Sequence, residues 1–117
     1  MESFYNSRGP AAEAGVPVKL MRWPASLRLD HVTTLNGKAI QVSATGMSLV
    51  LPRSVREGEI GLVSVNAFIN GNPLRLQARG SVVCCACIGM EGFRISLRFK
   101  DLDQDAANAL EALLHAR

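Results

Sequence analysis

The sequence predicts an all-β domain followed by a single C-terminal helix. From Val16 onward, turn signals recur about every 8 to 15 residues, and the segments between them are β-rich or alternate between apolar and polar residues. Helical spacing of apolar residues occurs only after residue 100. A chain of 117 residues has the size of one domain, and this spacing of turns is typical of a barrel or a sandwich.

The first half of the chain contains a predicted arm and three predicted strands. Residues 1–15 combine Gly, Pro, Ser and small residues without a period, so we expect a flexible arm before a domain spanning residues 16–117. Asn36-Gly37 is a dipeptide that tight hairpins prefer, and it lies between apolar segments at 27–32 and 40–42. We therefore predict a hairpin that turns at Asn36-Gly37. A third strand, Met47–Leu51, should end before Pro52.

Three further strands are predicted after it. The β-rich run 59–69 precedes a second turn signal, the segment Asn70-Gly71-Asn72-Pro73. Beyond this turn, and again after residue 92, apolar and polar residues alternate, so that one side of each strand faces the core. The outward side contains the arginines Arg75, Arg79, Arg94 and Arg98. This pattern predicts two neighbouring strands that are apolar inside and arginine-rich outside.

Residues 103–116 are predicted to form the C-terminal helix. Ala106, Leu110 and Leu113 recur at helical spacing, and Asp103 is the expected N-cap. Because an isolated helix of this length is marginal in water, its apolar stripe should cover one open end of a barrel. A stripe kept for a partner protein is the alternative.

The distribution of reactive side chains argues against disulfides, a metal site and catalysis. The only cysteines, Cys84, Cys85 and Cys87, lie in one short stretch, so we expect reduced thiols, packed as small buried side chains at a strand end, and a cytoplasmic location. Only His31 and His115 could add ligands to this stretch, so no metal site is expected. No nucleophile, phosphate-cradling loop or paired-acid motif is present, which predicts a protein that is not an enzyme and has no cofactor.

No apolar run reaches the roughly 18 residues that would insert into a membrane.

The charge indicates which ligands the domain could bind. The formal net charge is +3, and ten of the thirteen basic residues are arginine, whose planar fork suits phosphate and guanine. An anionic ligand is one interpretation, and a solvated basic surface without a ligand is the other. Aromatic residues make up only 5% of the sequence, so few side chains are available to stack on the bases of a polynucleotide.

Several short motifs, in order, resemble the PilZ domain family between about residues 18 and 114. The segment Gln41–Gly46 is similar to the family signature Asp/Asn-x-Ser-x-x-Gly, and Met47–Pro52 is similar to its continuation towards Leu-x-x-Pro. Arg79–Val83 and Phe93–Phe99 resemble the two later family strands. The resemblance implies a six-stranded antiparallel β-barrel of PilZ type with a C-terminal helix. It also implies a ligand, cyclic di-GMP, on the outer barrel surface.

The resemblance implies the residues that would bind this ligand. The family places Arg-x-x-x-Arg before its first strand; Arg22 matches the second arginine, Val18 stands at the first, and Lys19 is beside it. Guanine O6 and N7 accept paired hydrogen bonds from a guanidinium, while the signature motif supplies acceptors and an open backbone. The expected ligand-binding residues are Lys19, Arg22, Gln41, Ser43 and Gly46, with the outward-facing Arg98 as an additional anion contact.

Three functions follow as hypotheses. The first is a receptor that binds cyclic di-GMP, orders its N-terminal arm and so creates a surface for an unidentified protein partner. The second is an adaptor that binds no nucleotide and acts through protein contacts in pilus or motility machinery, which the Val18 position favours. The third is a basic barrel that binds RNA or DNA, which the shortage of aromatic residues on strands disfavours.

Overall fold

Six antiparallel strands form the wall of the protein in a computed structural model that describes residues 18–115. The strands are β1 Val18–Arg28, β2 Thr34–Ser43, β3 Gly46–Leu51, β4 Ile60–Ile69, β5 Asn72–Cys87 and β6 Phe93–Phe99. They close into a barrel in the order β1–β2–β3–β6–β5–β4. The prediction of an all-β domain is therefore confirmed, and the architecture is the barrel. The predicted arm, residues 1–15, and residue 116 of the predicted helix lie outside the described residues.

The first hairpin turns at a different place from the one predicted. Asn36-Gly37 lies inside β2, paired with Ser26 and Ala25 of β1, so the prediction of a turn there is wrong. The chain instead reverses between Leu29 and Thr33. In this turn the Asp30 carboxylate accepts hydrogen bonds from the backbone N–H groups of residues 32 and 33, at 2.8 and 2.7 Å. These two bonds hold the pKa of Asp30 below its ordinary value, because they favour the ionised carboxylate.

Gly37 serves a different purpose from a turn. A Cβ atom at this position would lie 1.9 Å from the backbone oxygen of Val50 on β3. Since no side chain fits in that space, glycine allows the two backbones to approach closely in mid-strand. The same dipeptide does form a turn between β4 and β5, where Asn70 (φ 53°) and Gly71 (φ 82°) adopt the left-handed conformation that tight hairpins require. The second predicted hairpin is thus confirmed.

The core occupies the inside of the barrel and follows the predicted alternation. Fully buried side chains come from all six strands, including Leu27, Val42, Leu49, Val65, Leu76 and Ile95. On β5 and β6 the predicted inner faces are buried at the centre of each strand and half-buried at Leu74, Phe93 and Phe99, whereas Arg75, Arg79 and Arg98 are exposed. Three ladders contain a bulge or register shift: β1–β2 at Leu20/Trp23, β2–β3 at Ala39/Gln41 and β5–β6 at Val82/Cys84.

The C-terminal helix α1, Gln104–Leu114, completes the core. Asp103 is its N-cap, as predicted: the carboxylate accepts a hydrogen bond from the backbone N–H of Ala106 at 2.7 Å. Ala106, Ala109, Leu110 and Leu113 are buried with the barrel core, and the helix packs against β5. The apolar stripe is therefore used within the domain. None of the helices formed by residues 18–115 is long and apolar enough to cross a membrane.

The three cysteines lie at the end of β5, as predicted, but they are less buried than expected. Cys84 and Cys85 are half-buried and Cys87 is exposed. Between residues 18 and 115, no three His, Cys, Asp or Glu side chains converge in a way that could hold a metal ion.

Candidate functional site on the outer face of β2, β3 and β6

The outer face of β2, β3 and β6 brings four of the six predicted site residues together. Pairing between the strands places Gly46 opposite Arg98, and Gln41 opposite Ser48, which in turn lies opposite Ser96. Directly paired residues of neighbouring strands point to the same side of a sheet. Ser43, two residues after Gln41 on β2, shares this side as well. Gln41, Ser43, Gly46 and Arg98 thus form one surface, which we call the β2–β3–β6 face.

Gln41 is held in place by its neighbours on this face. Its side-chain oxygen accepts a hydrogen bond from the Arg94 guanidinium at 2.8 Å and a longer one from the Ser48 hydroxyl at 3.5 Å. Arg94 and Gln41 are both half-buried, and the neighbouring Ser48 and Ser96 are almost completely buried although they face outward. The network fixes the orientation of the Gln41 amide, so that its N–H₂ group is the part left to bond elsewhere.

Ser43 is engaged in the turn between β2 and β3. Its hydroxyl lies 3.2 Å from the Thr45 hydroxyl, accepts from the Thr45 backbone N–H at 3.3 Å and reaches the Gly46 carbonyl at 3.5 Å. Ser43 is only 1% exposed. Its clearest role in this structure is to shape the loop that presents the backbone of Ala44 and Thr45, which a ligand could contact.

Arg22 lies at the edge of the face and Lys19 does not share it. Arg22 is exposed within the β1 bulge, where it lines a groove of about 370 Å³ with Lys38, Val50 and Glu91 among others. Lys19 pairs with Val42, whose side chain is buried in the core, so Lys19 occupies the inward-facing register at the end of the barrel. The β1 residue that pairs with Ser43 is Val18. The structure therefore groups Arg22, but not Lys19, with the outer surface.

Arg98 lines a second depression, at the opposite end of β3 from the groove of Arg22. This depression, of about 330 Å³, also contains Thr45 and Lys100, so two cationic side chains border it. Arg98 is exposed, and its partner across the ladder is Gly46, which has no side chain to cover it. Two cationic side chains beside the exposed Ala44 suit an anion.

Two features of the face were not identified from the sequence. Arg94 was predicted only to face outward, whereas it is the residue that holds Gln41. Ser48 and Ser96 are buried polar residues that alternation alone assigns to solvent. The partners Gln41 and Arg94 are 53 positions apart, so no local pattern indicates their contact. The only sequence signal was the alternation in β6, which placed Arg94 on the outer side.

Comparisons with known proteins identify the family. The family model described as the PilZ domain matches residues 21–116. The chain belongs to the PilZ domain family. The match begins after Val18 and Lys19, so it covers Arg22 and the whole β2–β3–β6 face. It does not cover the first position of the family's Arg-x-x-x-Arg motif, which we call the entry motif.

Solved structures support the same fold. The inhibitor of motility of Bacillus subtilis (MotI/DgrA) aligns with a TM-score of 0.69 and 14% identity, over 86% of this chain and 46% of that chain. A tetrameric PilZ domain protein from Xanthomonas campestris gives 0.66 and 19% identity, over 87% and 86% of the two chains. YcgR from Escherichia coli, solved in complex with c-di-GMP, gives 0.68 and 16% identity, over 86% and 43%. This chain therefore spans less than half the length of the first and third of these proteins. No curated protein matches the sequence.

Proposed function

We propose that this PilZ domain binds cyclic di-GMP on the β2–β3–β6 face and relays the signal to a protein partner. The observation that carries the proposal is the convergence of Gln41, Gly46 and Arg98 on one outer surface, with Arg22 at its edge. Membership of the family supports it, as does the c-di-GMP complex of the structurally similar YcgR. The role is one of binding rather than catalysis, and the three free thiols suit the reducing cytoplasm.

Each residue of the face has a chemical role in this proposal. The guanidinium groups of Arg22 and Arg98 donate paired hydrogen bonds to phosphate oxygens or to guanine O6 and N7. The Gln41 amide, oriented by Arg94, donates to the ligand with its N–H₂ group. Ser43 holds the loop, and Gly46 leaves room beside Arg98. Lys19 contributes only long-range positive charge, because it occupies the inward register.

The absence of an arginine at position 18 should weaken this site. Val18 pairs with Ser43 and is 37% exposed, so a longer side chain at this position would extend over the β2–β3–β6 face. Losing a charged hydrogen-bonding group costs about 1.5 to 3 kcal/mol, which corresponds to roughly ten- to a hundredfold in affinity. The expected affinity is therefore lower than that of a site with two arginines.

Calorimetric titration of the full chain with cyclic di-GMP tests the proposal. The unaltered protein should release or absorb heat with a saturating isotherm, and Arg22→Ala should weaken binding about ten- to a hundredfold. Val18→Arg should strengthen binding by a similar factor, because it adds a guanidinium beside Ser43.

Arg75→Ala is the matched control. Arg75 is an exposed arginine on the outer side of β5, away from the β2–β3–β6 face, so its removal changes the net charge equally without altering the site. Equal affinities for the unaltered, Arg22→Ala and Val18→Arg proteins would disprove this location for the site.

A second candidate function is an adaptor that binds no nucleotide. Two observations favour it: valine at position 18, and a Gln41 oxygen already engaged by Arg94 and Ser48. Absence of heat at ligand concentrations near a millimolar, in a protein shown to be folded by circular dichroism, would select this function. Recovery of binding in Val18→Arg alone would locate the defect at the entry motif.

A further inference from the structure

We propose that the seam between β1 and β4 is a docking groove for an extended, acidic segment of a partner protein. The barrel closes through β1 and β4, but these strands pair only from Ala25–Val65 to Arg28–Leu62. Before Ala25 and after Val65 the two strands diverge. The seam involves different residues from the β2–β3–β6 face, so either proposal can fail without the other.

The divergence has a local cause in β1. Pro24, the first residue beyond the paired segment, has no backbone N–H to donate to a neighbouring strand. The bulge between Leu20 and Trp23 adds twist, which turns the start of β1 away from β4. On the other side, Asn66–Ile69 of β4 continue to pair with β5 only, within the described part of the chain. Two strand edges therefore face each other across a gap.

A groove lies at this gap, and its lining is mostly apolar. It measures about 470 Å³ and includes Trp23 and Pro24 from β1, Ala67 and Phe68 from β4, and Leu74 and Arg75 from β5. Phe68 is 58% exposed, which makes it the only exposed aromatic side chain among residues 18–115. An exposed strand edge beside an apolar groove is the arrangement that accepts an added strand: the edge bonds the backbone of the incoming peptide and the groove receives its side chains.

The charge of the wall selects an acidic partner. The six strands contain no Asp or Glu but eight basic residues, which are Lys19, Arg22, Arg28, Lys38, Arg75, Arg79, Arg94 and Arg98. Every acidic residue between positions 18 and 115 lies in a loop, in the 3-10 helix Gly89–Glu91, or at or within α1. At the groove itself, the charged side chain is Arg75. A segment that alternates apolar and acidic residues would place the apolar ones in the groove and the acidic ones along this wall.

The chemistry favours a peptide over a polynucleotide as the occupant. A single exposed aromatic residue cannot provide a series of stacking platforms, which single-stranded nucleic acids use. Phosphate oxygens can accept hydrogen bonds from the N–H groups of a strand edge, but they leave its carbonyl groups unpaired and gain nothing from an apolar groove. A β-strand of a partner protein uses the edges, the groove and the charge together.

Trp23 makes the groove directly measurable. It is the only tryptophan of the chain and lines the groove, so its fluorescence reports occupancy in the intact chain. The probe is a synthetic peptide of about eight residues, the length of an ordinary strand, that alternates valine with aspartate and has one central phenylalanine. Two comparison peptides replace aspartate by lysine, or alternate valines by proline to remove backbone donors.

We expect the acidic peptide to change Trp23 fluorescence saturably and both comparison peptides to bind at least tenfold more weakly. Phe68→Asp should abolish the response, and Arg75→Glu should reverse the preference towards the lysine peptide. Val32→Asp is the control for the first variant, since Val32 is 90% exposed in the turn between β1 and β2. Arg53→Glu controls the second, since Arg53 is exposed in the loop between β3 and β4 and lies outside both the strands and the groove. Phe68→Asp should keep any affinity for cyclic di-GMP.

Several results would overturn the proposal. These are no response to the acidic peptide by folded protein, equal binding of acidic and lysine peptides, or a response to a single-stranded oligonucleotide alone. A change of Trp23 fluorescence in Phe4→Ser/Tyr5→Ser protein without peptide would assign the groove to the N-terminal segment of this chain. Self-association in sedimentation that Phe68→Asp abolishes would assign it to a second copy.

Discussion

Replacing Gly37 by alanine should destabilise the barrel far more than the same replacement at Gly71. At Gly37 the added Cβ atom would lie 1.9 Å from the Val50 oxygen and close to the Leu51 side chain. At Gly71 the added atom meets nothing within 4 Å, and the only penalty is the positive φ of 82°. The two substitutions therefore separate a steric clash with a backbone from a conformational preference.

The magnitudes follow from these geometries. Non-bonded heavy atoms do not approach much closer than about 3 Å, so β2 and β3 would have to separate by roughly 1 Å around Gly37. Such overpacking costs about 1 to 3 kcal/mol, and each ladder hydrogen bond that is lost adds about 1 kcal/mol. We expect a decrease of about 3 kcal/mol or more in the free energy of unfolding for Gly37→Ala. For Gly71→Ala we expect about 1 to 2 kcal/mol, the cost of the left-handed conformation for a residue with a side chain.

Urea denaturation followed by circular dichroism measures both values. With a denaturant slope of about 1 to 1.5 kcal/mol per molar urea, the midpoint should fall by about 2 M or more for Gly37→Ala and by about 1 M for Gly71→Ala. A decrease for Gly37→Ala no greater than that for Gly71→Ala would refute the close approach of β2 and β3. It would instead support the turn that the dipeptide Asn36-Gly37 predicts.

Two further predictions concern the helix and the first turn. Leu113→Ala should lower the free energy of unfolding by about 2 to 5 kcal/mol in urea denaturation, because Leu113 is fully buried. Leu114→Ala should lower it clearly less, because Leu114 is only half-buried. The lowered pKa of Asp30 means that the unfolded chain binds more protons in acid, so this carboxylate stabilises the fold above its ordinary pKa and loses that effect as the pH falls through its folded value. Denaturation at neutral pH and near pH 3 gives the free energy of unfolding of the unaltered protein and of Asp30→Asn. The difference between the two proteins should be larger at neutral pH, and a difference that grows in acid would contradict the assignment.

The sequence was sufficient to predict features that depend on neighbours along the chain. Alternation in β5 and β6 predicted which side chains face the core, and helical spacing with Asp103 predicted α1, because each rests on the geometry of a single element. Asn70-Gly71 forms the expected turn for the same reason, since its positive φ angles satisfy a local requirement.

The features that were missed depend on a second strand. Asn36-Gly37 has the same two residue types as the turn at Asn70, yet its glycine is needed because the Val50 oxygen lies next to it, which no local pattern indicates. The order of β3 and β6 in the barrel likewise decides that Arg94 meets Gln41. The bulge in β1 determines that Arg22, rather than Lys19, lies with the outer surface. Motif matching located the face, but only the register of the strands shows how its residues are oriented.

The short pairing between β1 and β4 also affects how the domain moves. Four residue pairs close the ring at this seam, whereas the β4–β5 ladder contains ten. The β2–β3 ladder also has four pairs, but a two-residue turn joins its strands directly, whereas β1 and β4 are far apart along the chain. Opening the seam leaves the other five ladders intact and converts the barrel into a curved, open sheet, so it requires far less free energy than global unfolding. The amide hydrogens of Ala25–Arg28 and Leu62–Val65 that bond across the seam, rather than to β2 or β5, should exchange with solvent through this opening and not through unfolding of the whole chain. The barrel is thus a curved sheet whose closure depends on the short β1–β4 ladder. The interior side chains of β1 and β4 are the part of the core that water reaches first.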